Sequence, residues 1–154
     1  MSRGVGSDGR EVEEVWDDLA VRREDRRLRA LVADDDDAMR KLLRAVLELD
    51  GWEVRVARDG DEAIAMADEY RPDALVLDVM MPNTDGLTAL HRIRENEANR
   101  DVPAVMYSSG DFGDAAAAAG AEDFVGKLDI DQLPERVAEV VRRTEADATE
   151  PQHQ

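Results

Sequence analysis

The sequence predicts an α/β fold, a doubly wound five-stranded parallel sheet with helices on both faces, and three observations predict it. Short apolar runs alternate with longer stretches whose apolar residues recur at helical spacing. Each run ends at a turn signal or a charge, and the alternation repeats five times between Arg29 and Arg143. Parallel strands linked by right-handed helical crossovers are covered on both faces, so they read as continuous apolar runs instead of in-out alternation.

The elements follow in order. Arg29 to Ala33 is the first strand, and Met39, Leu42, Leu43, Val46 and Leu47 then form a helical stripe that Gly51 stops. Val54 and Val56 alternate in a short second strand. Asp61 to Tyr70 carries Ala63, Ile64 and Ala67 on one helical face, and Arg71-Pro72 ends it, because a residue before proline is driven out of the helical region. Ala74 to Leu77 is the third strand. After a loop through Pro82, Asp85 and Gly86, a helix turns Leu87, Leu90 and Ile93 inward. Pro103 to Tyr107 is the fourth strand, Asp114 to Ala119 a short Ala-rich helix, and Asp123 to Gly126 the fifth strand. Leu133, Val137, Val140 and Val141 line the last helix.

Composition narrows the function. The 154 residues suit one domain with extensions. A net charge of −17 argues against nucleic acid as a direct partner, since that binding depends on neutralising phosphates with Lys and Arg. With no Cys there is neither a disulfide framework nor a thiolate metal site. The start Met1-Ser2-Arg3-Gly4 lacks the apolar core of a signal peptide, and no stretch approaches the roughly 20 apolar residues of a membrane span. No membrane partner and a cytoplasmic location are the expectations.

Charge placement points to chemistry. Asp34 and Asp35 follow the first strand, Asp78 the third and Lys127 the fifth. Open parallel sheets bind ligands beyond the carboxyl ends of their strands, so these charges share one edge. Crowded carboxylates repel, at about 4 kcal/mol for a pair 4 Å apart in an effective dielectric of 20, which favours either a bound cation or proton uptake. Oxygen ligands with retained waters suit Mg²⁺, and Asp35 and Asp78 are the direct ligands expected.

Five pieces in order, Asp34-Asp35-Asp36, Leu77-Asp78-Val79-Met80-Met81-Pro82-Asn83-Thr84-Asp85-Gly86, Ser108-Ser109, Gly120-Ala121 and Lys127, resemble the receiver domain of two-component response regulators. The likeness spans about Arg29 to Arg143 and implies a flavodoxin-like sheet in strand order 2-1-3-4-5. It implies that Asp78 accepts a phosphoryl group from a histidine kinase or histidine phosphotransfer protein in a Mg²⁺-dependent phosphorelay. Asp34 would act through or beside a bound water, and the main-chain carbonyl of Met80 would supply a further metal ligand. Lys127 and Ser108 would contact the phosphoryl oxygens, while Ser108 and Phe124 would form the switch toward an unknown downstream protein. No enzyme activity is implied beyond self-phosphorylation and autodephosphorylation.

Two departures from the family pattern affect the output side. Leu128 follows Lys127 where the family has a proline after a cis bond, and a cis bond before Leu would cost about 3 to 4 kcal/mol, so a trans bond and an altered loop are expected. The interval from Ser108 to Lys127 is a few residues short, with Gly110, Phe112 and Gly113 replacing part of the fourth helix. One alternative reading is therefore a receiver-like interaction module that works without phosphorylation. Another is an aspartyl-phosphate hydrolase of the haloacid dehalogenase type, which would carry a second Asp where Met80 stands. Asp85-Gly86 reads as turn and helix-cap chemistry, and His91 as a surface residue.

The ends are read separately. Residues 1–10 are Gly-rich and expected to be disordered, and residues 144–154 are expected to form a disordered tail. Within 11–28, Val12, Val15, Trp16 and Leu19 make an amphipathic stripe that can dock on the domain, pair in a homodimer or hold a partner. A stand-alone domain with no effector module after it is the expectation.

Overall fold

A computed structural model of the chain describes residues 27–149, with only the backbone of Thr149. The strands are β1 (Arg29–Ala33), β2 (Glu53–Ala57), β3 (Ala74–Asp78), β4 (Ala104–Ser108) and β5 (Asp123–Gly126). The helices are α1 (Asp37–Leu49), α2 (Gly60–Tyr70), α3 (Gly86–Glu95), α4 (Gly113–Ala118) and α5 (Leu133–Thr149), with 3₁₀ turns at Glu97–Asn99 and Lys127–Gln132. All strand pairs are parallel, in the order β2-β1-β3-β4-β5. The expected fold class and strand order are those observed.

Local chemistry starts the helices where the sequence turns acidic. The side chains of Asp36, Asp59 and Asp85 accept hydrogen bonds from the first-turn N–H groups of Ala38, Glu62 and Thr88 and cap α1, α2 and α3. Phe112 precedes α4 and gives no such bond, which suits a helix of six residues.

Alternation along the strands sorts the core into two layers. Ala30, Val32, Ala74, Val76, Val105, Tyr107 and Val125 face Leu43 and Leu47 of α1 and Leu133, Val137, Val140 and Val141 of α5. Leu31, Ala33, Leu75, Leu77, Ala104 and Met106 face Ala63 and Ala67 of α2, Leu90 and Ile93 of α3 and Ala116 of α4, with Phe112 and Phe124 packed at the margin. Arg136 clamps α5 to β5 through two bonds to the Asp123 carboxylate, at 2.6 and 2.7 Å, and this bidentate pair holds Asp123 below the usual carboxylate range.

Two expectations are corrected. Leu42, counted on the apolar stripe of α1, is 45% exposed, because the buried arc of that helix narrows to Leu43 and Leu47 with Met39 and Val46 at its edges. Residues 144–149, expected to belong to a disordered tail, are helical, since α5 continues through Thr149, and the rest of that expected tail lies outside the described residues. The last turns of α5 carry Glu145, Ala146 and Ala148, good helix formers, and the Thr144 hydroxyl donates to the Val140 carbonyl at 2.9 Å. The expected disordered segment 1–10 and amphipathic helix 11–28 lie outside the described residues except for Arg27 and Leu28, which are not helical and lead into β1. Among the described residues no helix is long and apolar enough to cross a membrane.

Candidate functional site

Strand register assembles the site. Ala33 pairs with Leu77, Leu77 with Met106, Asp78 with Tyr107, and Ser108 with Gly126. The residues at or just past these positions, Asp34, Asp35, Asp78, Ser108 and Lys127, therefore collect at the carboxyl edge of β1, β3, β4 and β5. This edge flanks the point where strand order reverses between β1 and β3, the ordinary ligand crevice of an open α/β sheet.

Asp78 is 2% exposed. Its Oδ1 accepts the Met80 N–H at 3.3 Å and its Oδ2 lies 3.2 Å from Lys127 Nζ. Asp34 is fully buried: Oδ1 accepts the Asp36 N–H at 2.8 Å and Oδ2 accepts the Tyr107 hydroxyl at 2.7 Å. Lys127 Nζ also stands 3.6 Å from Asp34 Oδ2. Asp35 is exposed, and carboxylate oxygens of Asp34, Asp35 and Asp78 lie within 4.8 Å of one another.

Burial, reinforced by the Asp34 charge and opposed by Lys127, raises the Asp78 carboxyl to about 6. Burial alone would lower the Lys127 ammonium, but Asp78 and Asp34 outweigh it and hold it above its ordinary value. Lys127 thus stays charged between two acids. The cluster offers oxygen donors only, two buried and one open to solvent, and one ammonium does not balance three carboxylates. That donor set fits Mg²⁺, which dehydrates reluctantly and takes a few protein carboxylates while keeping water.

The altered loop after β5 keeps the lysine in place. Every peptide bond among the described residues is trans, that between Lys127 and Leu128 included. Lys127 opens the 3₁₀ turn Lys127–Gln132, so its side chain reaches Asp78 while Leu128 stands almost wholly in solvent. Ser108 is buried, and its oxygen accepts the Gly110 N–H at 3.1 Å, which leaves its own proton free to donate. Phe124 is half-buried on the opposite sheet face from Tyr107, against the layer that holds Phe112 and α4. Met80, 56% exposed, lies at the rim of an open groove with Asp35, Met81, Pro82, Leu87 and Phe112. His91 is exposed on α3 beside Glu95.

Two contributors escaped the sequence reading. Gly86 does more than shape a turn: a Cβ there would fall 2.1 Å from the Asp78 carbonyl oxygen, and its N–H donates to the Val79 carbonyl at 2.9 Å. Tyr107 reads in sequence as one more apolar strand residue, yet it is fully buried and hydrogen-bonds Asp34. A signal was present, since a buried tyrosine hydroxyl requires a partner and strand parity puts it on the Asp34 side of the sheet.

Comparison with known proteins agrees with this geometry. The family model for the response regulator receiver domain matches residues 30–138. The response regulator MprA of Mycobacterium leprae is 40% identical over 124 residues, covering 78% of this chain and 54% of that protein. The transcriptional regulatory protein TrcR of Mycobacterium tuberculosis is 36% identical over 121 residues, covering 76% of this chain and 46% of TrcR. The chain thus spans about half the length of the curated relatives it matches. Among solved structures, a Francisella response regulator receiver domain superposes with a TM-score of 0.69 at 31% identity, covering 76% of this chain and 98% of that one. The response regulator domain of Thermotoga maritima CheB gives 0.67 at 29% identity, covering 82% and 100%. The chain belongs to the receiver-domain family of response regulators.

Proposed function

We propose that this domain accepts a phosphoryl group on Asp78 from a histidine kinase or histidine phosphotransfer protein and passes the signal on through protein contacts. The observation that carries the reading is the buried Asp78 carboxylate, bonded to Lys127 at 3.2 Å and grouped with Asp34 and Asp35.

The chemistry follows from these groups. An oxygen of Asp78 forms a bond to phosphorus as the P–N bond of the donor breaks, and the imidazole departs with the electron pair. Such a transfer needs little more than positioning and neutralisation of charge on the three equatorial oxygens. With its carboxyl near 6, Asp78 is mainly ionised at neutral pH and available as the nucleophile. Lys127, already at Asp78 Oδ2, takes one phosphoryl oxygen as a point charge. The Ser108 proton, not committed to the Gly110 contact, is donated to another. Asp35 and Asp78 would hold Mg²⁺ directly, Asp34 through or beside a water, and the Met80 carbonyl would add a further oxygen. When bound, the ion would supply charge neutralisation at the transferring group.

The domain's own covalent chemistry is limited, in this proposal, to gaining and losing that phosphoryl group. A cytoplasmic setting suits a phosphohistidine donor. The acidic chain, at a net charge of −17, makes another protein, not nucleic acid, the direct partner of this domain's surface. The six-residue α4 favours one competing reading, a receiver-like module that binds its partner without phosphate.

Intact mass after incubation with a small phosphodonor, with and without Mg²⁺, tests the proposal on wild type and Asp78→Asn. One Mg²⁺-dependent phosphoryl adduct, absent from the variant, is expected. No adduct on a folded wild-type protein would move the assignment to the phosphate-independent module.

A further inference from the structure

We propose that Tyr107 is a positioning residue for phosphoryl transfer, its hydroxyl holding the Asp34 carboxylate so that the Lys127 ammonium stays committed to Asp78. This rests on the phosphoacceptor reading of Asp78. Four groups on one face of the sheet carry it. Ala30, Val32 and Asp34 continue one alternation, Ala74, Val76 and Asp78 a second, Val105 and Tyr107 a third, and Val125 and Lys127 a fourth, while Ser108 and Phe124 belong to the other face.

Asp34 has a demand that must be met. It is fully buried, so each oxygen left without a donor is costly. The Asp36 N–H satisfies Oδ1 at 2.8 Å, a bond fixed by the capping turn at the start of α1. Oδ2 has two candidate donors, the Tyr107 hydroxyl at 2.7 Å and the Lys127 ammonium at 3.6 Å. The neutral donor makes the hydrogen bond, and the cation stays just beyond that distance and bonds Asp78 at 3.2 Å.

The arrangement assigns the Lys127 ammonium to the nucleophile. Without the hydroxyl, Oδ2 of a buried carboxylate would face only Lys127, and a lysine on a flexible four-carbon stem can swing the short distance required. The ammonium would then be held by Asp34 when it is needed at the phosphoryl oxygen, and Asp34 would lose the orientation from which it serves the cation site. The Tyr107 ring contributes separately, because its face lies 5.6 Å from Lys127 Nζ and disposes the ammonium over the strand end. Tyr107 itself is fully buried within β4, with its hydroxyl also 3.3 Å from the Ala33 carbonyl.

Tyr107→Phe in the full chain removes the hydroxyl and keeps the ring. Phosphoryl loading from a small donor at saturating Mg²⁺ should slow about tenfold, the low end of what a hydrogen bond to a charged group is worth. Mg²⁺ affinity, read from backbone amide shifts with no phosphodonor present, should fall several-fold. In an Asp34→Asn background the same substitution should add nothing, since the effect passes through that carboxylate. Val105→Ala, on the same strand and face and away from the acids, serves as a destabilised control that should load at the wild-type rate. Loading and Mg²⁺ binding within twofold of wild type would overturn the proposal, as would a full loss that persists in the Asp34→Asn background. Wild-type protein that takes no phosphoryl group would instead overturn the phosphoacceptor reading, and the Mg²⁺ titration would still test the Tyr107–Asp34 link.

Discussion

Replacing Asp78, the proposed nucleophile, should stabilise the metal-free protein. The Asp78 carboxyl rises from 3.8 to about 6 on folding, with burial the larger cause and the Asp34 charge the next. A raised carboxyl binds a proton more tightly in the folded state, so stability is lost as pH climbs from about 4 to 6 and the full penalty stands above that window. A rise of that size corresponds to about 3 kcal/mol at neutral pH. The site opens to solvent at Asp35, so screening makes this an upper bound, and Asn offers Lys127 a neutral acceptor in place of the ion pair. Asp78→Asn in EDTA at about pH 7 should therefore gain up to about 3 kcal/mol, and near pH 4.5, where much of the penalty is already relieved, only about 1 kcal/mol. Urea unfolding followed by the fluorescence of buried Trp52 measures this, with a midpoint shift of about 2 M for a slope near 1.5 kcal/mol per M. Added Mg²⁺ should narrow the gap by stabilising the wild type more than the variant. A variant less stable than wild type at neutral pH, or a gain that does not shrink on acidification, would refute the reasoning that Asp78 is held ionised against its burial.

Two further outcomes follow from the same geometry. Gly86→Ala places a Cβ 2.1 Å from the Asp78 carbonyl, so the backbone around Asp78 must shift; a loss of about 2 kcal/mol by urea unfolding is expected, within the roughly 1–3 kcal/mol usual for overpacking and backbone displacement. Ser108→Ala should still accept the phosphoryl group, because Asp78 and Lys127 remain, but phosphorylation-induced amide shifts at Phe124 and α4 should shrink. The lost bond is worth about 1.5 to 3 kcal/mol against the roughly 5.5 that inverting a 1:99 population requires. Undiminished shifts would show that the hydroxyl takes no part in the switch.

The fold was legible wherever burial imposes a period. Strands covered on both faces must be apolar throughout, and Ala74 to Leu77 or Leu31 to Ala33 cannot be read another way once Asp78 and Asp34 mark their ends. Helix boundaries were less legible because they depend on which carboxylate turns back to cap. Asp36, Asp59 and Asp85 do so within acidic stretches that offer several candidates. The reach of α5 past residue 144 is not legible because no apolar periodicity marks it, and its continuation rests on local propensity and the Thr144 bond.

The site divides along the same physical line. Asp34, Asp78 and Lys127 announce themselves because charge at the end of an apolar run is costly unless it is used. Gly86 and Tyr107 are harder to read, since one contributes the lack of a side chain at a point of backbone contact and the other a single oxygen on an otherwise apolar body. What sequence shows directly is where charge has been placed; what it withholds is how buried charges share their partners. Here that division decides the chemistry. Three carboxylates and one ammonium could pair in more than one way, and it is the Tyr107 hydroxyl, reaching across from β4, that bonds Asp34 and leaves Lys127 facing Asp78, the proposed phosphoacceptor.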